Sequence, residues 1–342
     1  MKNDRTLQAI PETAAIEGIR STLEKSRTTC EPTRSDLHLI KTAQEIRQEP
    51  ADERPVAFLS TSLIQCTLPH RNPGNVAFWR RTNNQHTLII QPGLNSKGES
   101  FGIPWGSLPR LLLIWIVTEA IRTQTRRLEL GNSLTEFLRK LELDPYSRGK
   151  RSPAKRLRSE IEKLLACKIT SYWHMQAGSI TGERTEEAQV ARSRELWWDA
   201  GGQNQTILWG SWIELSADFY AAIMDSNVPC NMRAIRALRR SPLAIDLYML
   251  TNWIGANLTQ RGQRSHFLSW HMLASQLGGE YKTLDDLKKN VQDAMRKISQ
   301  IHPDLRFSYK VRRTKTGILE GGLILYPSAP AIPRKTTLTQ IA

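Results

Sequence analysis

The chain has 342 residues, enough for two ordinary domains or one large one. Hydrophobic residues make up 39% and charged residues 24%, so the composition supports packed cores and excludes a broadly disordered chain. The formal net charge of +15 points to a polyanionic partner, because each Lys or Arg set on a phosphate releases a condensed counterion. An anionic membrane surface fits less well, since the cations are spread over several segments and not stacked beside one apolar anchor. The strongest apolar run, Leu111 to Ala120, is too short to span a bilayer and carries Glu119. The first residues lack an apolar signal core, so a cytoplasmic location without membrane attachment is expected. Cys30, Cys66, Cys167 and Cys230 form no C-x-x-C pair and are expected to be free thiols.

In chain order, residues 1–54 are polar and mixed in charge. They are expected to form a flexible N-terminal arm with short amphipathic helices around Ile16 and Ile19 and around Leu37, Leu39 and Ile40. Three β-rich runs follow, Val56–Ser60, Val76–Arg80 and His86–Ile90. The turn-forming Asn72-Pro73-Gly74-Asn75 and Asn83-Asn84 separate them, as in a hairpin or small sheet. From Arg110 to Leu128 the pattern predicts a helix, apolar at first and basic at its end through Arg122, Arg126 and Arg127, with Gly131 as the stop. Ser133-Leu134-Thr135-Glu136 has the capping-box spacing and opens a short helix bearing Phe137, Leu138 and Leu141. Ser152-Pro153 opens a third helix with Leu157, Ile161, Leu164 and Leu165 as its apolar stripe. Ile169–Trp173 and Thr206–Leu215 then suggest a β-hairpin interrupted by a polar insertion, Gly178–Gln203, that contains Trp197-Trp198.

The same order recurs. Ser241-Pro242 opens a helix carrying Leu243, Leu247, Leu250 and Ile254. A short helix follows from Trp270 to Leu277, ending at Gly278-Gly279. Thr283 caps a third, with Leu284, Leu287, Val291, Met295 and Ile298 on one face. Arg306–Val311 and Ile318–Leu325 form a hairpin around Lys315-Thr316-Gly317. The expectation is an α+β, mainly helical chain with two winged-helix units in tandem, each a helix-turn-helix followed by a β-hairpin. The predicted boundaries are 1–54 for the arm, 55–227 for the first unit with its preceding hairpin and insertion, 228–330 for the second, and 331–342 for a C-terminal tail.

Candidate DNA contacts follow from the helical wheel and from charge. In the last helix Lys289, Gln292, Arg296 and Gln300 lie opposite the apolar stripe, with Lys288 and Lys297 beside the first three. Such side chains contact phosphate, or read guanine through Arg and adenine through Gln. A plainly solvated helix face would have the same pattern. The hairpin adds Lys310, Arg312, Arg313 and Lys315 with no acid between Phe307 and Leu319, a run better explained by a phosphate backbone or minor groove than by solvent alone. In the first unit Arg148, Lys150, Arg151, Lys155, Arg156, Arg158 and Lys163 form a dense cluster at a helix start, where the macrodipole disfavours cations unless an anion is near. The alternative there is the rim of a dimer interface.

Catalytic chemistry is not indicated. Asp285 and Asp286 sit in the first turn of a helix, where acids are favoured structurally. No H-x-H, H-E-x-x-H or G-x-x-x-x-G-K-[ST] pattern occurs, so no cofactor, metal or nucleotide is expected and the protein is not expected to be an enzyme.

Several motifs resemble one family. Phe101-Gly102-Ile103-Pro104-Trp105-Gly106-Ser107-Leu108-Pro109-Arg110-Leu111-Leu112, Trp115, Thr118-Glu119-Ala120 and Leu130-Gly131-Asn132-Ser133-Leu134 carry the likeness. So do Glu195-Leu196-Trp197-Trp198-Asp199, Arg239-Arg240-Ser241-Pro242-Leu243-Ala244-Ile245-Asp246 and, upstream, Arg54-Pro55 and Thr67-Leu68-Pro69-His70. Near the end, Gly322-Leu323-Ile324-Leu325 and Pro327-Ser328 complete it. Together, over residues 54 to 333, they resemble the RepA-type plasmid replication initiators. The resemblance implies binding to iterons in double-stranded plasmid origin DNA, origin opening, exchange between monomer and homodimer, and recruitment of the host replicative helicase and the host initiator DnaA. A winged-helix transcriptional repressor with no replication role is the alternative.

Overall fold

The computed structural model describes residues 34–50, 53–83, 86–131, 134–141, 143, 153–177, 180–196, 210–277, 281–313 and 319–333. The chain divides into two compact units, Met1–His38 and Leu39–Ala342, and of the first only residues 34–38 are described. The architecture is α+β, with helices packed among four antiparallel sheets.

Helix α1, Arg34–Gln48, lies inside the segment expected to be a flexible arm. Leu39, Ala43 and Ile46 are buried at helical spacing, whereas Ile40 is 44% exposed. Order therefore begins before residue 54, and the buried stripe is one step round from the one expected. Strand β1, Val56–Ser60, does not join the neighbouring β-rich runs. It pairs with β9, Asn227–Asn231, across the expected boundary between residues 227 and 228. Helix α2, Thr61–Gln65, follows β1. Strands β2, Trp79–Asn83, and β3, His86–Gln91, form a hairpin as expected, although β2 begins three residues after the start of the expected run Val76–Arg80 and takes in Asn83.

Helix α3 runs from Ser107 to Thr123. Every residue from Leu108 to Val117 is buried, so this helix is apolar on all sides and sits in the core. It ends earlier than expected, at Gln124, whose left-handed φ of 53° terminates the helix without a glycine. The following residues form strand β4, Arg127–Gly131, with Leu128 and Leu130 buried and Arg127 and Glu129 exposed. That period of two explains the correction: Arg126 and Arg127 lie beyond the helix. Helix α4, Leu134–Lys140, and helix α5, Pro153–Ala166, come next. Ser133 and Ser152, the expected caps of these helices, lie outside the described residues.

The expected hairpin between Ile169–Trp173 and Thr206–Leu215 does not form. Strand β5, Lys168–Ala177, pairs instead with β3 on one side and with β6, Ile180–Gln189, on the other. Strand β7, Ala191–Glu195, follows after Val190 alone, and β8, Ser211–Leu215, pairs with β7 and β4. The polar insertion is thus largely strand. Strand β6 is exposed except at half-buried Glu186 and Ala188, and its pairing with β5 carries Lys168–Glu187 at 2.6 Å and His174–Glu183 at 3.2 Å. Polar cross-strand pairs such as Lys168–Glu187 replace the apolar alternation that marks an ordinary strand.

Helix α6, Ala217–Asp225, is capped by Ser216, whose side chain accepts from the Phe219 N–H. Helix α7, Met232–Leu238, leads to α8, Pro242–Gln260. Ser241 caps α8 by accepting from the Ala244 N–H, and Pro242 takes the first turn, as its sequence predicts. Strand β10, His266–Ser269, helix α9, Trp270–Gln276, and helix α10, Leu284–Ile301, follow. Thr283 caps α10 by accepting from the Asp286 N–H at 3.1 Å. Strands β11, Phe307–Arg313, and β12, Leu319–Leu325, complete a sheet ordered β10-β12-β11. Gly322 lets this sheet close: a Cβ there would fall 2.3 Å from the Leu268 carbonyl oxygen and 2.8 Å from the Phe267 ring.

Candidate nucleic-acid interface

Helix α10 presents two faces. Leu287, Val291, Ala294, Met295, Ile298 and Ile301 are buried, packing the helix against α8 and α9. On the other side Lys288, Lys289 and Arg296 are exposed, while Gln292 and Lys297 are half-buried. Arg296 is held by Asp293 one turn back, at 3.1 Å, which leaves Lys289 as the cation better placed to meet a ligand.

The β11–β12 hairpin sorts its cations by face. Lys310 opposes Gly322 and Arg312 opposes Glu320, so these two share one side of the sheet. The Arg312 guanidinium lies 5.2 Å from the centre of the Phe267 ring on that side. Arg313 falls on the other side with Tyr309 and Val311, where Tyr309 stacks on Trp270 at 6.0 Å. Burial pushes the Tyr309 phenol up to about 12, with Asp293 adding to the shift. The run of charge in sequence is therefore two rows in space. Lys315 lies outside the described residues.

In the first half, α5 is a more self-contained helix. Arg156 and Arg158 are exposed, and Arg158 pairs with Glu162 at 3.3 Å. Lys163 turns inward: its ammonium lies 2.9 Å from buried Glu160 and 5.9 Å from the Trp105 ring centre. Glu160 also accepts from the Trp105 N–H at 3.4 Å, so Lys163 belongs to a packed cluster. Arg148, Lys150 and Arg151 lie outside the described residues, as does the Lys155 side chain.

A buried polar cluster went unassigned in the sequence and links the two halves. Arg110, on the first turn of α3, donates from Nε to Asp246 Oδ1 at 2.7 Å and from Nη2 to Asp246 Oδ2 at 2.7 Å. The same guanidinium donates to the carbonyls of Leu68 at 2.6 Å, Pro69 at 3.2 Å and Gly106 at 2.7 Å. All five of its N–H donors are thereby satisfied. His70 Nε2 lies 2.8 Å from Asp246 Oδ2. Burial alone would raise the Asp246 carboxyl, but Arg110 and His70 hold it below the usual carboxylate range. Burial lowers the His70 pKa, so the neutral ring donates Nε2–H to the carboxylate. Gly106 fits because its φ of 82° directs its carbonyl to Arg110 while its N–H donates to the Pro69 carbonyl at 2.9 Å. One signal in the sequence marks the pair: each charge stands alone in an apolar helical run, Arg110 before Leu111 to Val117 and Asp246 between Ile245 and Leu247.

These residues come from three of the motifs that carry the family resemblance. Residues 103–272 match the model of the family described as plasmid encoded RepA protein. This segment belongs to the RepA family. It contains α3, α5, α8 and both partners of the Arg110–Asp246 pair, while α10 and the β11–β12 hairpin lie beyond it. No curated protein matches the chain. Among solved structures, domains 2–3 of RctB are similar at 8% identity and a TM-score of 0.44, covering 82% of this chain and 100% of that one. A selenomethionine structure of RctB domains 2 and 3 gives 9% identity and a TM-score of 0.43, over 78% of this chain and 97% of that one.

Among the described residues, no group of three or more His, Cys, Asp or Glu side chains is placed to hold a metal. No described helix is long and apolar enough to cross a membrane. Cys66, Cys167 and Cys230 are free and buried, and burial pushes the Cys66 and Cys167 thiols up to about 12, far from the thiolate that redox chemistry requires.

Proposed function

We propose that this protein initiates plasmid replication by binding iterons in double-stranded origin DNA through two winged-helix units, without catalysing a reaction. The observation that carries this reading is the second half. There α8, β10, α9, α10, β11 and β12 follow one another, the sheet is ordered β10-β12-β11, and exposed Lys289, Lys310 and Arg312 lie on its last helix and hairpin. In this reading α10 enters the major groove, with Lys288, Lys289, Gln292, Arg296 and Lys297 toward bases and phosphates, and the hairpin lies on the flanking backbone. The first half supplies the second unit, with α5 as its third helix and the β7–β8 hairpin as its wing, carrying Arg148, Lys150, Arg151, Lys155, Arg156 and Arg158 to a neighbouring site. Membership of the RepA family supports the word initiator. Origin opening then draws on binding and bending energy, since a bent A·T-rich duplex is easier to unstack. Monomer–dimer exchange, recruitment of the host helicase and DnaA, and action in the bacterial cytoplasm belong to the same proposal.

The test is binding of the purified protein to its own origin across a salt series. Tight, salt-dependent preference for direct repeats over random duplex is expected, together with loss of plasmid maintenance when the gene is deleted. Equal affinity for both DNAs at physiological salt would remove the proposal.

A further inference from the structure

From Arg54 to Gly98 the chain contains no Asp or Glu, yet it carries Arg54, Arg71, Arg80, Arg81 and Lys97. Two of these turn inward. Arg54 donates to the Ala331 carbonyl at 3.3 Å, and the Arg81 guanidinium lies 4.0 Å from the Trp79 ring centre. Arg71 and Arg80 are exposed, and no described carboxylate lies within ion-pair distance of either. This contrasts with Arg158, Lys163 and Arg296, each paired on its own helix. Phe78, between the two arginines, is 54% exposed.

The loop that holds these side chains is fixed. At one end His70 is hydrogen-bonded to Asp246, and the Pro69 carbonyl accepts from Gly106. At the other, Trp79 is packed against the core and starts β2. Between them the Gly74 N–H donates to Asn72 Oδ1 at 3.0 Å, in a turn that Gly74 closes with a φ of 80°. The loop also lies near the start of the candidate recognition helix. Strand β2 packs on α9, the helix before α10. Arg71 is close enough to Tyr281, two residues before the Thr283 cap of α10, to act on its phenol electrostatically. An exposed aromatic ring between two unpaired guanidiniums on an anchored, acid-free loop suits a polyanion with apolar sugar edges.

We propose that the loop Arg71–Arg80 is a third DNA-binding element, seating Arg71 and Arg80 on duplex phosphates beside the groove entered by α10 and laying Phe78 against the sugars. This rests on the DNA-binding reading above and extends it to residues outside both helix–hairpin units. It also gives a further use to the β2–β3 hairpin, which pairs with β5 and packs on α9.

The test uses the full chain on a labelled origin duplex, with the Arg71→Ala/Arg80→Ala variant compared with wild type over a salt series and by hydroxyl-radical footprinting. Both side chains are exposed, so the fold should persist, and far-UV circular dichroism with thermal melting checks that. Expected are an affinity about tenfold lower at physiological salt, a log–log salt slope smaller by about 2, and loss of one protected backbone segment. Phe78→Ala should weaken binding with the slope unchanged. If the double variant keeps wild-type affinity, slope and footprint while Lys310→Ala/Arg312→Ala binds more weakly, the loop proposal is overturned and the initiator reading survives. If wild type shows no preference for the origin, the initiator reading fails alone. The loop is then judged on random duplex, where the same slope change is expected and its absence overturns it.

Discussion

The two halves of the molecule run the same course: helix, strand, two helices, then two strands. In each, the strand after the first helix pairs with the last strand, giving β4-β8-β7 in one half and β10-β12-β11 in the other. The second half closes directly from α10 into its hairpin. The first is opened between α5 and β7 by the β5–β6 hairpin, which leaves to pair with β3 and returns as β7. An insertion of this length is tolerated because β5 finds a partner, β3, outside the unit it interrupts, and β6 is held by β5. The halves also differ in how they hold charge. Described cations of the first half are mostly paired, as in Arg126–Glu214, Arg158–Glu162, Lys163–Glu160 and Lys168–Glu187. The second half leaves Lys289 and Lys310 exposed. Repeated topology therefore does not imply repeated electrostatics, and the stronger field toward DNA is expected from the second half.

Cutting the link between the halves should have the largest effect. Asp246→Ala leaves the Arg110 guanidinium buried without its counterion, and a loss of about 3–5 kcal/mol in urea unfolding is expected. A loss below about 1 kcal/mol would show that the halves do not depend on this pair. Gly322→Val should act on one half only. Overpacking against Leu268 and Phe267 should cost about 1–3 kcal/mol, with hydrogen-exchange protection lost in β10–β12 and kept in β4–β8. Uniform loss across both sheets would mean that the halves unfold as one.

Acid should reveal the buried histidines of both halves. Burial lowers the pKa of His86 from 6.5 to about 4, and also lowers His70, His266 and His302. Between those limits the unfolded chain binds more protons than the folded one. Stability is therefore full above pH 6.5 and declines as the pH falls toward about 4, where folded His86 itself takes the proton. His86→Phe keeps the stack on Trp173 and removes a titrating group, so urea midpoints measured from pH 7 to 4 should fall less steeply. The same slope as wild type would exclude His86 as a contributor. The smallest expected effect is that of Arg158→Ala, within about 1 kcal/mol in stability because its pair with Glu162 is exposed. In a DNA-binding titration this variant should lose less affinity than Lys289→Ala, and the reverse order would move the principal interface to the first half.

Much of the second half was legible because its signals are local. Ser241-Pro242, Thr283 and the stripe from Leu284 to Ile298 each declare a cap or a face within a few residues, and each is found in place except Leu284, which is 37% exposed. The first half was harder for identifiable reasons. Gln124 adopts a left-handed conformation that its residue type does not announce, so the sequence pattern carries α3 on through Arg127 and Leu128. Strand β6 has no apolar face to mark it, since its order comes from β5. The pairing of β1 with β9 joins residues too distant for any local pattern. For the site, the cationic face of α10 and the crowded hairpin could be foreseen from the wheel and the charge run. Arg110 and Asp246 stood in quoted motifs, yet their contact spans 136 positions and only the fold brings them together.

Strands β6 and β7 are separated by a single residue, Val190, and belong to different sheets. The register of one sheet therefore fixes that of the other. Inserting or deleting one residue between Gln189 and Ala191 would reverse the inward and outward positions of a whole strand. This junction should thus evolve by substitution and resist changes of length, a rigid join at the place where the inserted hairpin returns to the unit it interrupts.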